Sequence, residues 1–330
     1  MKRILITSPN SIAGSLILNG FKAGFKANGC YILEKDTREL TIADIEKFKP
    51  DLIFGYDYGF LLPAKMDLIN YIIENKDKFK LVHYFADEPN SKWAYVEKHE
   101  LYNEYLQLVK DKKNVFSFVW DKTFCKQLPN SGYLPLAVNY KAYRPEESKK
   151  YEISFVGRPL TEKRQKILAS LIKYFGKKLN IFCFEKHFLQ SLDDMKEKQF
   201  LTEQELDTYK SAYKGFLTTE QDIANVYFNS KVNINITLQG KTGMNYRVFE
   251  VLASRGFLLT DETEDTLKSF EISKELETYK DINDLIDKTE FYLKHYEIAQ
   301  KIALNGFANV AKSHNYTARA RKILDTIKNS

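Results

Sequence analysis

The sequence predicts an α/β protein made of two doubly wound domains, and three observations carry that prediction. Short apolar runs alternate with amphipathic stretches from Ile4 to Leu136. A polar, charged segment interrupted by Pro145 follows at 137–150, and the same alternation restarts at Tyr151. With 330 residues, 44% hydrophobic and 14% aromatic, the chain can fill two cores, each of roughly 150 residues.

In the first domain, Ile4 to Thr7 reads as the opening strand and SPNSIAG as the loop after it, with the first helix over 15–26. CYILE, DLIFGY, FKLVHYF, NVFSFVW and GYLPL supply further strands, so the sheet should hold about six, and a helix is expected over 64–76. Helical crossovers make neighbouring strands parallel. Open parallel sheets bind ligands at the carboxyl ends of their strands, which directs attention to 8–14, 55–60 and 86–91. Gly14 is the one glycine of the first loop and suits a tight turn there. Asp87, in HYFADEP, stands where a carboxylate could orient or deprotonate an acceptor hydroxyl; a helix N-cap is the structural alternative. His83 lies mid-strand among apolar neighbours and reads as a core histidine.

The second domain opens with YEISFVGRP. Gly157 permits close backbone approach at the carboxyl end of that strand, Arg158 is aimed at the ligand side, and Arg164 follows near the start of the next helix as either a second ligand cation or an ordinary surface residue. LNIFCF is the next strand. The lysine- and glutamate-rich stretch 186–214 reads as a helical insertion. The chain is then organised around Lys231 to Asp261, KVNINITLQGKTGMNYRVFEVLASRGFLLTD: strand, glycine-bearing loop, short helix, strand. The loop QGKTG can bring backbone close to a ligand, and the helix after it points its first NH groups back, a seat for phosphate. Arg247, Glu250 and Ser254 fall at i, i+3 and i+7 on one helix face, leaving Val248, Val251 and Leu252 for the sheet. An Arg and a Glu one turn apart suit a nucleotide sugar, with Arg247 on diphosphate oxygens and Glu250 accepting from the ribose hydroxyls. A solvated Arg–Glu pair is the plain alternative.

The surplus of positive charge is six, spread along the chain. It suits a small anionic ligand, and no nucleic-acid-binding signature accompanies it. Cys30, Cys125 and Cys183 are odd in number and far apart, as expected of free thiols in a reducing compartment. ILIT is too short for a signal peptide and no later run reaches membrane-spanning length, so the cytoplasm is expected, with room for peripheral membrane contact. The acidic group Asp261, Glu262, Glu264 and Asp265 reads as a strand end and helix start, not as a metal site. SPNSIAG lacks the three-glycine dinucleotide fingerprint, which argues against a dehydrogenase.

YLPLAVNYKAYRP, YEISFVGRPLTEKRQKIL, the 231–261 run and FYLKHYEIAQKIALNGFANVAKSHNYTARARKIL together resemble the CgeB-like (spore-maturation protein) glycosyltransferases. The likeness runs almost continuously through the second half; in the first half it rests on strand order and HYFADEP. It implies a GT-B fold, two Rossmann-like domains facing across a cleft: 1–148 on the acceptor side, 149–315 holding a nucleoside-diphosphate sugar, and 316–330 as a final helix crossing back to the first domain. Retaining GT-B enzymes carry two glutamates eight apart around the donor. Glu250 matches the second, whereas Thr242 stands at the first; backbone NH groups of Gly243, Met244 and Asn245 would replace that contact. Thr260 and Asp261, ending the next strand, complete the expected donor side.

The expected activity is a metal-independent transfer of sugar, without cofactor, from a nucleotide-sugar co-substrate to a hydroxyl of a glycan, lipid-linked sugar or protein. Arg247 and Arg158 would stabilise the departing diphosphate. Asp87, Gly14 and Tyr58 form the acceptor side, Tyr58 and its neighbours Tyr56 and Tyr84 being either sugar-stacking or core aromatics. The rival readings are a nucleotide-sugar epimerase and a non-catalytic module that binds nucleotide sugar or glycan.

Overall fold

The computed structural model describes residues 1–8, 12–56, 65–89, 99–238 and 240–328. The chain separates into two compact units. One comprises Met1–Asn139, Gln239–Met244 and Ser313–Ser330, and the other Tyr140–Leu238 and Asn245–Lys312.

The first unit is built on β1 (Arg3–Ser8), α1 (Ile12–Ala27), β2 (Tyr31–Asp36), α2 (Ile42–Phe48), β3 (Leu52–Tyr56), α3 (Met66–Glu74), β4 (Leu81–Phe85), α4 (His99–Val109), β5 (Val115–Val119) and β6 (Ser131–Tyr133). Its sheet has the order β2-β1-β3-β4-β5-β6, parallel throughout. β3 and β4 are buried along their whole length, as central strands covered on both faces must be. Phe21 of α1 sits among Phe54, Tyr84 and Tyr316, with ring centroids 4.7, 4.9 and 4.7 Å away.

Tyr316 begins the last helix of the chain, which packs on α1 across two glycines. A Cβ at Gly20 would lie 2.0 Å from the Tyr316 ring, and one at Gly24 2.2 Å from the Tyr316 carbonyl oxygen. Spaced four apart, they share one face of α1 and let the helices touch. Buried Arg319 ties the same helix to the chain beyond β6, donating to the carbonyls of Pro135 and Leu136.

The helix expected over 15–26 starts at Ile12, which places Gly14 inside its first turn and corrects the loop role expected for it. The first NH groups of a helix have no intrahelical partner to lose, so glycine is tolerated there. Residues 57–64, Tyr58 among them, and the end of the 86–91 loop lie outside the described residues.

The second unit contains β7 (Tyr151–Val156), α5 (Glu162–Phe175), β8 (Leu179–Phe182), α6 (Glu185–Glu197), α7 (Glu203–Ala212), α8 (Glu220–Phe228), β9 (Ser230–Asn235), α9 (Tyr246–Ala253), β10 (Leu258–Asp261), α10 (Glu264–Ser269), β11 (Glu277–Tyr279), α11 (Ile282–Lys294) and α12 (Tyr296–Ser313). α13 (Tyr316–Lys328) is the helix packed on α1. The order is β11-β10-β9-β7-β8, again parallel.

The stretch 186–214 is not an insertion. Phe188, Met195, Leu206 and Tyr209 of α6 and α7 belong to the core under β8 and α5. Lysine and glutamate cover the outer faces of these helices and dominate the composition, which hides the apolar side in the sequence. Central β9 is polar in an unexpected way, because Asn233 and Asn235 are both fully buried. Asn233 accepts from Ser154 Oγ at 2.6 Å and donates to the carbonyls of Tyr227 and Phe257. Such complete pairing is what allows an amide inside a sheet. Among the described residues no helix is long and apolar enough to cross a membrane, and all three cysteines are free thiols.

Candidate functional site

The chemistry gathers at the carboxyl ends of β7, β9 and β10, in the second unit. Gly157 directly follows β7, and its φ of 151° and missing side chain admit the Arg247 guanidinium: a Cβ there would lie 2.5 Å from Arg247 Nη2. Arg247, on the first turn of α9, donates from Nη1 to Asn235 Oδ1 at 2.7 Å and lies over the Phe155 ring, 5.7 Å from its centroid. Asn235 accepts from Asn245 Nδ2 as well and donates to Thr260 Oγ1. One buried amide thus orients both side chains that enter α9. Asn245 Oδ1 is buried and accepts no hydrogen bond among the described residues, which leaves an acceptor ready for a ligand hydroxyl.

Arg164 on α5 joins Arg247 over the same ring at 5.6 Å. It is 4% exposed and donates to the carbonyls of Ile236, at 3.2 and 2.7 Å, and Arg158, at 2.7 Å. Burial, then the Arg247 charge, push Arg164 below the usual guanidinium range, and Asp261 restores it only in part. A guanidinium keeps its proton at neutral pH. The result is two neighbouring cations whose hydrogen bonds go to neutral oxygens, a local field that an anion would relieve.

Glu250 lies one turn beyond Arg247 and is buried, so the solvated-pair alternative does not hold. Tyr143 donates to Glu250 Oε1 at 2.9 Å. Burial pushes the Glu250 carboxyl up to about 7, against the Tyr143 hydrogen bond and the Arg247 charge. Tyr143 and Tyr246 feel the same carboxylate, and both hydroxyls are raised well above the usual tyrosine range, mainly by burial.

The structure thus brings Gly157, Asn245, Arg247 and Glu250 together and engages the other expected donor residues in contacts of their own. Arg158 is exposed and contributes its carbonyl, while Arg164 takes the buried place. Thr260 is 1% exposed and bonded to Asn235. Asp261 is held by Thr237 N and Oγ1 and by Lys163 Nζ at 2.7 Å, and so forms a wall of the site. Thr263 caps α10, with Glu264 and Asp265 in its first turn, where acidic groups complement the helix dipole.

The expected phosphate seat in the loop is corrected. The NH of Gly243, with those of Lys241 and Thr242, donates to Asp121 Oδ2 at 2.8 Å, and Met244 is buried. In the first unit, Gly14 lies in α1, and Asp87 is exposed just past the carboxyl end of β4. The residues of the helix that Asp87 would cap lie outside the described ones. His83 is fully buried, stacked on Phe85 at 4.1 Å.

Sequence reasoning missed Asn235, Tyr143 and Asp121 and undervalued Arg164. The polar positions of KVNINI were the available signal, since asparagine in a central parallel strand needs internal partners.

Solved structures share the fold at low identity. The sucrose-phosphate synthase of Thermosynechococcus elongatus superposes with a TM-score of 0.68 at 11% identity, covering 100% of this chain and 99% of that one. A glycosyltransferase of Rickettsia africae gives 0.67 at 11%, covering 99% and 98%. HepE of Anabaena, solved with UDP-glucose, gives 0.66 at 11%, covering 100% of both. The fold is therefore GT-B, built of two Rossmann-like units. The profile of the family described as "Glycosyl transferase-like" matches residues 177–325. No curated protein sequence matches the chain.

Proposed function

We propose that this protein transfers a sugar from a nucleoside-diphosphate sugar to a hydroxyl group of a glycan, lipid-linked sugar or protein. The observation that carries the reading is the neighbouring pair of buried Arg164 and half-buried Arg247, which spend their hydrogen bonds on neutral oxygens on the same side of the sheet as buried Glu250. A diphosphate supplies the missing negative charge, and its departure is the step that preorganised cations accelerate. Glu250 accepts from the ribose hydroxyls and Asn245 Oδ1 from a donor hydroxyl, each pairing a buried acceptor. In this reading Asp87, exposed past the carboxyl end of β4, takes the proton of the attacking hydroxyl. The UDP and UDP-glucose complexes of HepE and the profile match support this class. Within it, the sequence resemblance supports the CgeB-like group, and free thiols at Cys30 and Cys183 fit a cytoplasmic setting.

The test is calorimetric titration of a panel of nucleoside diphosphates and nucleotide sugars into wild type and Arg247→Met. One base should bind selectively to wild type, and the variant should lose about 10- to 100-fold in affinity while its melting temperature holds, because one of two neighbouring like charges is removed and the methionine can keep the packing on Phe155. Absence of binding across the panel would overturn the proposal.

A further inference from the structure

Asp121 follows β5 in the first unit and is fully buried. Its Oδ1 accepts from Thr123 N at 2.8 Å and Thr123 Oγ1 at 2.6 Å, capping the short 3₁₀ turn Lys122–Gln127. A cap needs one oxygen. The other, Oδ2, takes three successive amides from far along the chain, those of Lys241, Thr242 and Gly243, each at 2.8 Å, and Thr242 Oγ1 adds a bond to Oδ1 at 3.0 Å.

Both glycines of the loop serve this contact. At Gly240, with φ of 80°, a Cβ would lie 2.5 Å from Asp121 Oδ2 and 2.7 Å from the Trp120 ring; at Gly243 it would lie 2.7 Å from that ring. The carboxylate, the two glycines and the indole are one device for holding the segment. That segment leads straight into α9, with Asn245 and Arg247 two and four residues past Gly243.

We propose that Asp121 is a positioning residue for the transfer reaction: its carboxylate fixes the 240–243 loop and thereby sets the entry of α9. The inference rests on the transferase reading. Asp121 is not the base of the reaction, because both its oxygens are saturated and, against the burial that raises it, these hydrogen bonds hold its pKa down at about 2.

Two measurements test it. Amide hydrogen exchange needs no assumption about function: the amides of 241–243 should be strongly protected in wild type and lose that protection in Asp121→Ala, which has no side-chain acceptor for them. Protection unchanged in the variant overturns the proposal.

The second measurement uses UDP, GDP, ADP, CDP and dTDP as binding probes, and release of nucleoside diphosphate from the matching nucleotide sugar as turnover. Asp121→Ala should lower turnover by about tenfold or more and diphosphate affinity by a smaller factor, since Arg247 shifts with the helix entry. Gly243→Ala should do the same through the Trp120 clash with the carboxylate untouched, and it covers the case of an Asp121 variant that does not fold. Thr242→Ser keeps every donor and should match wild type. Turnover at the wild-type level with the loop released, or affinity falling by the same factor as turnover, overturns the positioning role. If wild type binds none of the five diphosphates, the transferase reading fails, and the exchange result alone decides whether Asp121 holds the loop.

Discussion

Glu250 is the residue at which the proposed donor binding meets pH. Its carboxyl sits at about 7, so near neutrality it is only partly ionised. Hydroxyl donors favour the ionised form. Binding of a nucleotide sugar, which lacks the titrating terminal phosphate of a free diphosphate, should therefore weaken about tenfold between pH 8 and pH 6, with proton release on binding. Glu250→Gln should bind more weakly and show a flat profile. Calorimetry across that range checks both, and a sloping Glu250→Gln profile would assign the titration to another group. The sign for stability is opposite to the usual carboxylate. With the folded value raised from 4.5 to about 7, the ligand-free protein gains up to about 3 kcal/mol as pH falls across that interval.

At the scale of elements, β7 and α9 act through one another. Gly157 leaves the space that the Arg247 guanidinium occupies, and Phe155, two residues earlier on the same strand, supplies the ring beneath it. Gly157→Ala introduces a Cβ 2.5 Å from Arg247 Nη2 at a φ that disfavours side chains. The stability cost should be of order 1–3 kcal/mol, since the end of a long side chain can move. The affinity for nucleoside diphosphate should fall by about tenfold. In an Arg247→Ala background the same substitution should cost no further affinity. Additive losses in this double-mutant cycle would separate the glycine from the arginine.

At the scale of the whole molecule, the two units carry opposite responses to acid. His83 in the first unit is held neutral, its pKa pushed down to about 3 by burial. A histidine depressed in the fold contributes stability above its unfolded value near 6.5 and loses it as pH falls toward the folded one. Glu250 in the second unit runs the other way over much of the same interval. Hydrogen exchange, corrected for intrinsic rates, should show β4 losing protection and α9 gaining it between pH 7 and pH 5. His83→Phe should abolish the first trend and leave the second. Parallel loss in both elements would point to one cooperative unit instead.

Periodicity is local, so the strand–helix alternation, the restart at Tyr151 and the shared face of Arg247 and Glu250 were readable without coordinates. Gly157 was readable as a place of close approach for the same reason, since its cause is the absence of its own side chain. Burial is not local. Arg158 and Arg164 look alike in sequence, and only the packing of α5 against β7 puts the second inside and the first in water. The lysines and glutamates of 186–214 concealed helices that belong to the core. The glycines of the 240–243 loop were legible as demanding close contact, but the contact is with Asp121, more than a hundred residues earlier. By itself the sequence determined which residues could do chemistry and which backbone positions had to be bare. Tertiary structure alone decided which charges are buried and what each bare position faces, because desolvation and hydrogen-bond pairing depend on chain segments distant in sequence.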